Sequence, residues 1–243
     1  MSRVALVTGG ARGIGRATVR ALAADGWSVA FSYRTAEDEA RQLHDELRSL
    51  DAPVLTTRCD ASSHEACAEL VERVVSDLGP IHALVNCIGA YRSVPLLEET
   101  VAGWHGMLDH NLHPVFYLCR LVVRPMIEAG GGRIINFSIA HADRAAGQTR
   151  ITAHYAAKVG VLVLTRSFAK EVARHAITVN AISPGFLDSG GMPADELEQL
   201  AVSIPAGHVG TPSDAVGAVR FLLSDAASYV NGAHLQVSGG WGT

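Results

Sequence analysis

Residues 4–15 read Val4-Ala5-Leu6-Val7-Thr8-Gly9-Gly10-Ala11-Arg12-Gly13-Ile14-Gly15. An apolar run of strand length passes into spaced glycines, and the residues that follow, to about Ala24, carry the apolar period of a helix. Gly9, Gly13 and Gly15 permit a tight turn in which backbone N–H groups and a helix N-terminus approach a pyrophosphate, where the helix dipole favours negative charge. A glycine-rich turn alone is a weak signal. This one follows a strand, precedes an amphipathic helix and opens a βαβ unit, so it predicts a dinucleotide site rather than a merely structural bend.

Outward from that turn the same alternation runs to the end of the chain. Strands are expected at Val4–Thr8, Ser28–Tyr33, Val54–Arg58, Ala83–Asn86, Arg133–Phe137, Thr178–Ile182 and Ala233–Val237, with helices near 14–24, 36–49, 63–78, 100–128, 153–174 and 213–224. This rhythm forces parallel strands joined by right-handed crossovers, an α/β doubly wound sheet of the Rossmann type. A chain of 243 residues with 48% apolar and 18% charged residues suits one large core covered by helices on both faces, so 1–243 is read as a single domain. Only Asp188–Ile204 looks irregular. It is expected to be a flexible lid over the ligand crevice, the alternative being an ordinary surface helix with loose ends.

A formal net charge of −4 lacks the basic footprint of a nucleic-acid binder. No stretch reads as a signal peptide or reaches the length of a bilayer span, so a soluble cytoplasmic protein is expected, with no membrane partner. Cys59, Cys67, Cys87 and Cys119 lack C-x-x-C spacing and read as buried thiols. His105, His110 and His113 cluster without carboxylates placed to complete a site, so no metal is expected.

Several motifs resemble the classical short-chain dehydrogenase/reductase family, in particular its 3-oxoacyl-carrier-protein reductase branch. They are the G-x-x-x-G-x-G turn, Asn86-Cys87-Ile88-Gly89, Asn111 within HNLHPVF, Ser183-Pro184-Gly185 and the ending VNGAHLQVSGGW. The resemblance implies a nicotinamide cofactor held by Gly9, Gly13, Ile14, Gly15, Asn86 and Gly89, with Asp60 receiving the adenine amino group and Pro184, Gly185 and Ser189 along the nicotinamide. At the end of the second strand, Phe31-Ser32-Tyr33-Arg34-Thr35 offers no carboxylate for a ribose 2′-hydroxyl. Arg34, with Thr35 beside it and Arg12 in the glycine turn, suits a 2′-phosphate, so NADPH is the expected cofactor.

In this family a tyrosine protonates a carbonyl, a lysine four residues later binds the ribose, a serine holds the carbonyl, and an asparagine, here Asn111, supports a relay water. Lys158 matches the lysine, but counting back four residues lands on His154, and Tyr155 is only three away. On a helix Lys158 projects roughly 40° from His154 and roughly 60° from Tyr155. In RIINFSIAHAD the serine's place is taken by Ile139. Ser138 lies one residue early, on the opposite face of the strand unless a bulge restores it. Three readings stay open: His154 is the acid; local distortion returns Tyr155 and Ser138 to the family roles; or the substrate needs little acid help, an activated imine for example. The reading adopted is an NADPH-dependent reductase of a carbonyl, imine or conjugated substrate with an altered donor. The alternative is a redox-silent NADPH-binding protein or a non-redox enzyme on the same fold. The substrate pocket is expected to involve Tyr91, Ser93, Val94, His141, Phe186 and residues 188–204, and the long helices and last strand suggest a homo-oligomer, tetramer or dimer.

Overall fold

The computed structural model describes residues 2–48, 53–188 and 192–242. Seven parallel strands form one sheet in the order β3-β2-β1-β4-β5-β6-β7: β1 Val4–Thr8, β2 Ser28–Tyr33, β3 Val54–Arg58, β4 Ile81–Asn86, β5 Gly132–Phe137, β6 Ile177–Pro184 and β7 His234–Val237. The helices are α1 Gly13–Ala24, α2 Glu37–Leu47, α3 His64–Leu78, α4 Val101–Asn111, α5 His113–Glu128, α6 Thr152–Val172, α7 Ala194–Val202 and α8 Pro212–Leu223. The expected Rossmann architecture is therefore present.

Strand periodicity divides the apolar residues between two cores. Ala5, Val7, Val29, Phe31, Val85 and Ile135 pack under α1, α2 and α8, while Val4, Leu6, Leu84, Ile134 and Val179 pack under α3, α5 and α6. Between them the two layers leave the strand ends uncovered. Chain order reverses between β1 and β4, so the loops at their carboxyl ends diverge and open a crevice.

Two expectations change, and one alternative, a bulge in β5, finds no support. The single helix near 100–128 is two helices meeting at Leu112, because Pro114 has no N–H for the His110 carbonyl and its ring crowds that carbonyl. The segment expected as an irregular lid contains α7, none of whose residues is buried; residues 189–191, and with them Ser189, lie outside the described residues. No bulge interrupts β5, which pairs with β6 in unbroken register from Gly132 with Ile177 to Phe137 with Ile182. Among the described residues, no helix is long and apolar enough to cross a membrane.

Candidate active site

The glycine turn lies at the bottom of the crevice because no side chain fits there. A Cβ on Gly15 would sit 2.2 Å from the Gly9 carbonyl oxygen, one on Gly10 2.6 Å from Phe31 Cβ, and Gly9 itself holds φ 67° against the Cys87 carbonyl. The resulting groove, about 500 Å³, is lined by Arg12, Gly13, Ile14, Arg34, Thr35, Asp60 and Gly89, among others. Cys87, Ile88 and His110 also line it, and none of the three was assigned to the cofactor from the sequence. The Pro114 break, visible as a proline, was the one signal that could have brought His110 to the groove.

At the outer end Arg34 Nη1 lies 3.0 Å from a ring nitrogen of His110, and Arg58 Nε donates to the Arg34 carbonyl at 3.2 Å. Asp60 Oδ1 accepts from Ser62 N and Oγ at 3.1 and 2.8 Å. These bonds first, and the charges of Arg34 and His110 after them, hold its carboxyl below the usual range. Arg12 is turned toward Glu39, with Nε 2.8 Å from Oε1, so a 2′-phosphate would compete with that carboxylate for Arg12 but not for Arg34. Asn86 corrects an expectation. Its amide bridges Thr8 Oγ1 at 3.2 Å and Asn136 Oδ1 at 2.9 Å inside the sheet, so the side chain is structural and the groove is lined by the residues after it.

At the inner end, beside the carboxyl tips of β5 and β6, Lys158 is buried and donates through Nζ to the Phe137 carbonyl at 3.0 Å. Asn111 donates to the Ala90 and Met107 carbonyls, each at 3.0 Å, which uses both amide hydrogens and leaves its buried Oδ1 without a partner. A Cβ on Gly89 would sit 2.9 Å from that Oδ1 and 3.1 Å from Lys158 Nζ, so glycine keeps open the space between a free acceptor and an ammonium. Gly185, bonded to the Val237 carbonyl at 3.0 Å, follows Pro184 at the end of β6, and a Cβ there would meet Ser238 at 2.9 Å.

This arrangement can be placed among known proteins. A family model described as enoyl-(acyl carrier protein) reductase matches residues 9–242. An acetoacetyl-CoA reductase from Shinella zoogloeoides is 37% identical over 244 residues, covering 99% of this chain and 98% of that protein. The chain belongs to the short-chain dehydrogenase/reductase family of oxidoreductases. A 3-oxoacyl-(acyl-carrier-protein) reductase from Staphylococcus epidermidis is 34% identical over 99% of both chains. The solved structure of an actinorhodin polyketide ketoreductase variant with NADPH matches with a TM-score of 0.91 at 30% identity, covering 100% of this chain and 98% of that one. Acetoin dehydrogenase from Salmonella typhimurium gives 0.91 at 29% identity, covering 99% and 96%.

Against the family pattern, this short-chain dehydrogenase/reductase has both candidate hydroxyls committed elsewhere. Tyr155 OH donates to the His141 carbonyl at 2.6 Å and accepts from Ala146 N at 3.3 Å, which pins a loop where His141 and Ala145 hold positive φ. Ser138 OH donates to the Lys158 carbonyl at 2.8 Å. The structure shows no distortion of the kind that would return Tyr155 and Ser138 to the family roles: α6 is continuous, and β5 keeps an unbroken register with β6. Ile139, in the serine's place, packs with Ala142, Leu162 and Ala181.

His154 keeps its position four residues before Lys158 and is 7% exposed. Its Nδ1 is 2.9 Å from the Ala90 carbonyl, which can only accept, so Nδ1 carries the hydrogen. Burial first, then the Lys158 charge, bring its pKa down to about 4 against the opposing pull of the carbonyl. Tyr91 packs edge-on against the ring at 5.3 Å. Of the residues expected around the substrate, Val94 pairs through its N–H with the Arg150 carbonyl at 2.6 Å. His141 and Phe186 flank Trp241, at 4.7 and 4.6 Å between ring centroids. Trp241, the last residue of the VNGAHLQVSGGW stretch and given no role of its own from the sequence, is the ring between them.

Proposed function

We propose that this protein is an NADPH-dependent reductase of a small or medium-sized substrate with a C=O, C=N or conjugated double bond. The observation that carries the reading is the groove of about 500 Å³ at the Gly9–Gly15 turn, whose backbone N–H groups suit a pyrophosphate, together with Gly89 beside Lys158 Nζ and the unpartnered Asn111 Oδ1, which suit a ribose hydroxyl that can both accept and donate. Arg34 and Thr35 would meet the 2′-phosphate, Asp60 the adenine, Ile14 the pyrophosphate turn, and Pro184, Gly185 and Ser189 the nicotinamide face. When bound, the nicotinamide supplies hydride; the chain holds it and excludes water around the reacting carbon. The reductase names of the relatives and the NADPH complex of the ketoreductase support the same direction. We further propose a soluble cytoplasmic protein that forms a homo-oligomer, tetramer or dimer; the apolar surface that Trp104, Phe116 and Val163 leave exposed on α4, α5 and α6 supports the association.

Titration with NADPH and NADH, followed by cofactor oxidation with carbonyl, imine and conjugated substrates, tests the reading. NADPH should bind more tightly, and Arg34→Asp should weaken it by about 2 kcal/mol or more through the lost charge-assisted contact. Equal affinities for the two cofactors would refute the 2′-phosphate assignment. The commitment of both hydroxyls favours one second reading, a redox-silent NADPH-binding protein. Tight binding with no oxidation by any substrate would select it.

A further inference from the structure

The nicotinamide end of the site is unusual in what it lacks. Stabilising the oxygen of a carbonyl under reduction calls for hydrogen-bond donors or an acid aimed at it. Here the Tyr155 and Ser138 hydroxyls donate to the backbone carbonyls of His141 and Lys158. His154 presents an acceptor instead. With Nδ1–H on the Ala90 carbonyl, neutral imidazole has its remaining lone pair on Nε2, and Nε2 has no partner among the described residues. The groups around it are the Tyr91 ring, the Asn111 amide that shares the Ala90 carbonyl, and one charge, Lys158, whose Nζ is drawn onto the Phe137 carbonyl.

We propose that the reacting group of the substrate is a protonated imine whose N–H donates to His154 Nε2, and not a carbonyl that the enzyme must protonate. The balance is simple. The carbon of the C=N bond takes the hydride, the π pair becomes the nitrogen lone pair, and nitrogen keeps the proton it arrived with, so the product is a neutral amine and the protein transfers no proton. A neutral imidazole lone pair suits such a cation, and the Tyr91 ring against it adds an aromatic surface of the kind that receives cations. The weakly basic His154, at about 4, stays an acceptor throughout the neutral range.

This inference rests on the reductase reading above, and the experiment separates the two. Wild-type protein with NADPH is given methylpyrroline, a cyclic imine, and methylcyclopentanone, the ketone of the same ring size. The imine should show kcat/KM about 100-fold higher, in the range a missing acid costs a ketone. That rate should follow the imine's own protonation as pH rises, with no break from an imidazole acid. Nitrogen-15 NMR of the protein without substrate should find His154 Nε2 unprotonated at neutral pH. His154→Phe should lose at least about tenfold in imine kcat/KM while NADPH affinity stays within about twofold, and His154→Tyr, which returns a phenol to this position, should move selectivity at least about tenfold toward the ketone. A ketone reduced as well as the imine, or a proton on Nε2 at neutral pH, overturns the inference and leaves the reductase reading standing. NADPH bound but consumed with neither of these, nor with any carbonyl, imine or conjugated substrate of the wider panel, overturns both.

Discussion

Lys158 sits on the Phe137 carbonyl in surroundings that bring its pKa from the ordinary 10.5 down to about 8, burial being the main cause and Cys87 pulling the other way. Below pH 8 folded and unfolded chains are both protonated there, and the folded one bears the full cost of a buried charge. Between about 8 and 10.5 the unfolded chain binds more protons, so stability should rise with pH across that window. Lys158→Met should remove the rise, leave the apo-protein more stable at pH 7 by up to about 3 kcal/mol, and bind NADPH more weakly. Denaturant titrations of both proteins at pH 7 and pH 10 would show it, and an identical pH slope would mean the ammonium is solvated. Tyr155 carries a different kind of demand. Tyr155→Phe strips the donor from the His141 carbonyl and should cost about 1–2 kcal/mol in thermal unfolding, with kcat nearly unchanged. A collapse of kcat with unchanged stability would return the tyrosine to the chemistry.

Three strands and a helix are joined by one buried polar chain. Thr8 of β1 donates to Asn86 of β4, Asn86 to Asn136 of β5, and Asn136 to Thr165 of α6 at 3.0 Å. Each member is satisfied, which in a low-polarity interior fixes the register of β1, β4 and β5 beneath the cofactor groove. Asn136→Ala would leave the Asn86 amide and the Thr165 hydroxyl short of a partner and should destabilise by about 2–4 kcal/mol, while NADPH affinity of the folded fraction changes little. A loss below about 0.5 kcal/mol would show that water or a neighbouring group fills in. The motif Asn86-Cys87-Ile88-Gly89 was legible as functional, yet only the pairing of β4 with β5 reveals that Asn86 faces the sheet while Gly89 faces the groove. The break between α4 and α5 belongs to the same level. Helix-forming sequence spans residues 100–128, and the backbone consequence of Pro114 divides it.

Across the molecule, the crevice is assembled from segments far apart in the chain: the β1 turn, the β4 and β5 tips, α6 and the C-terminal strand. Trp241 packs on His141 and Phe186, which come from the loop after β5 and the segment after β6 and are expected around the substrate. Trp241→Ala should therefore raise KM about tenfold while leaving the unfolding temperature within a few degrees; unchanged KM would place the substrate elsewhere. Sequence alone determined the doubly wound sheet, the strand positions, the glycine turn and the place of Lys158, because these follow from local periodicity, from backbone space only glycine provides, and from counting along one helix. Tertiary structure decided what each polar group around Lys158 is able to do. The Ala90 carbonyl assigns the hydrogen of His154 to Nδ1, the His141 and Lys158 carbonyls occupy the hydroxyls of Tyr155 and Ser138, and burial beside Lys158 keeps the imidazole neutral. A side chain's chemistry depends on its partners and its dielectric surroundings, and those partners come from strands and loops that no spacing rule connects.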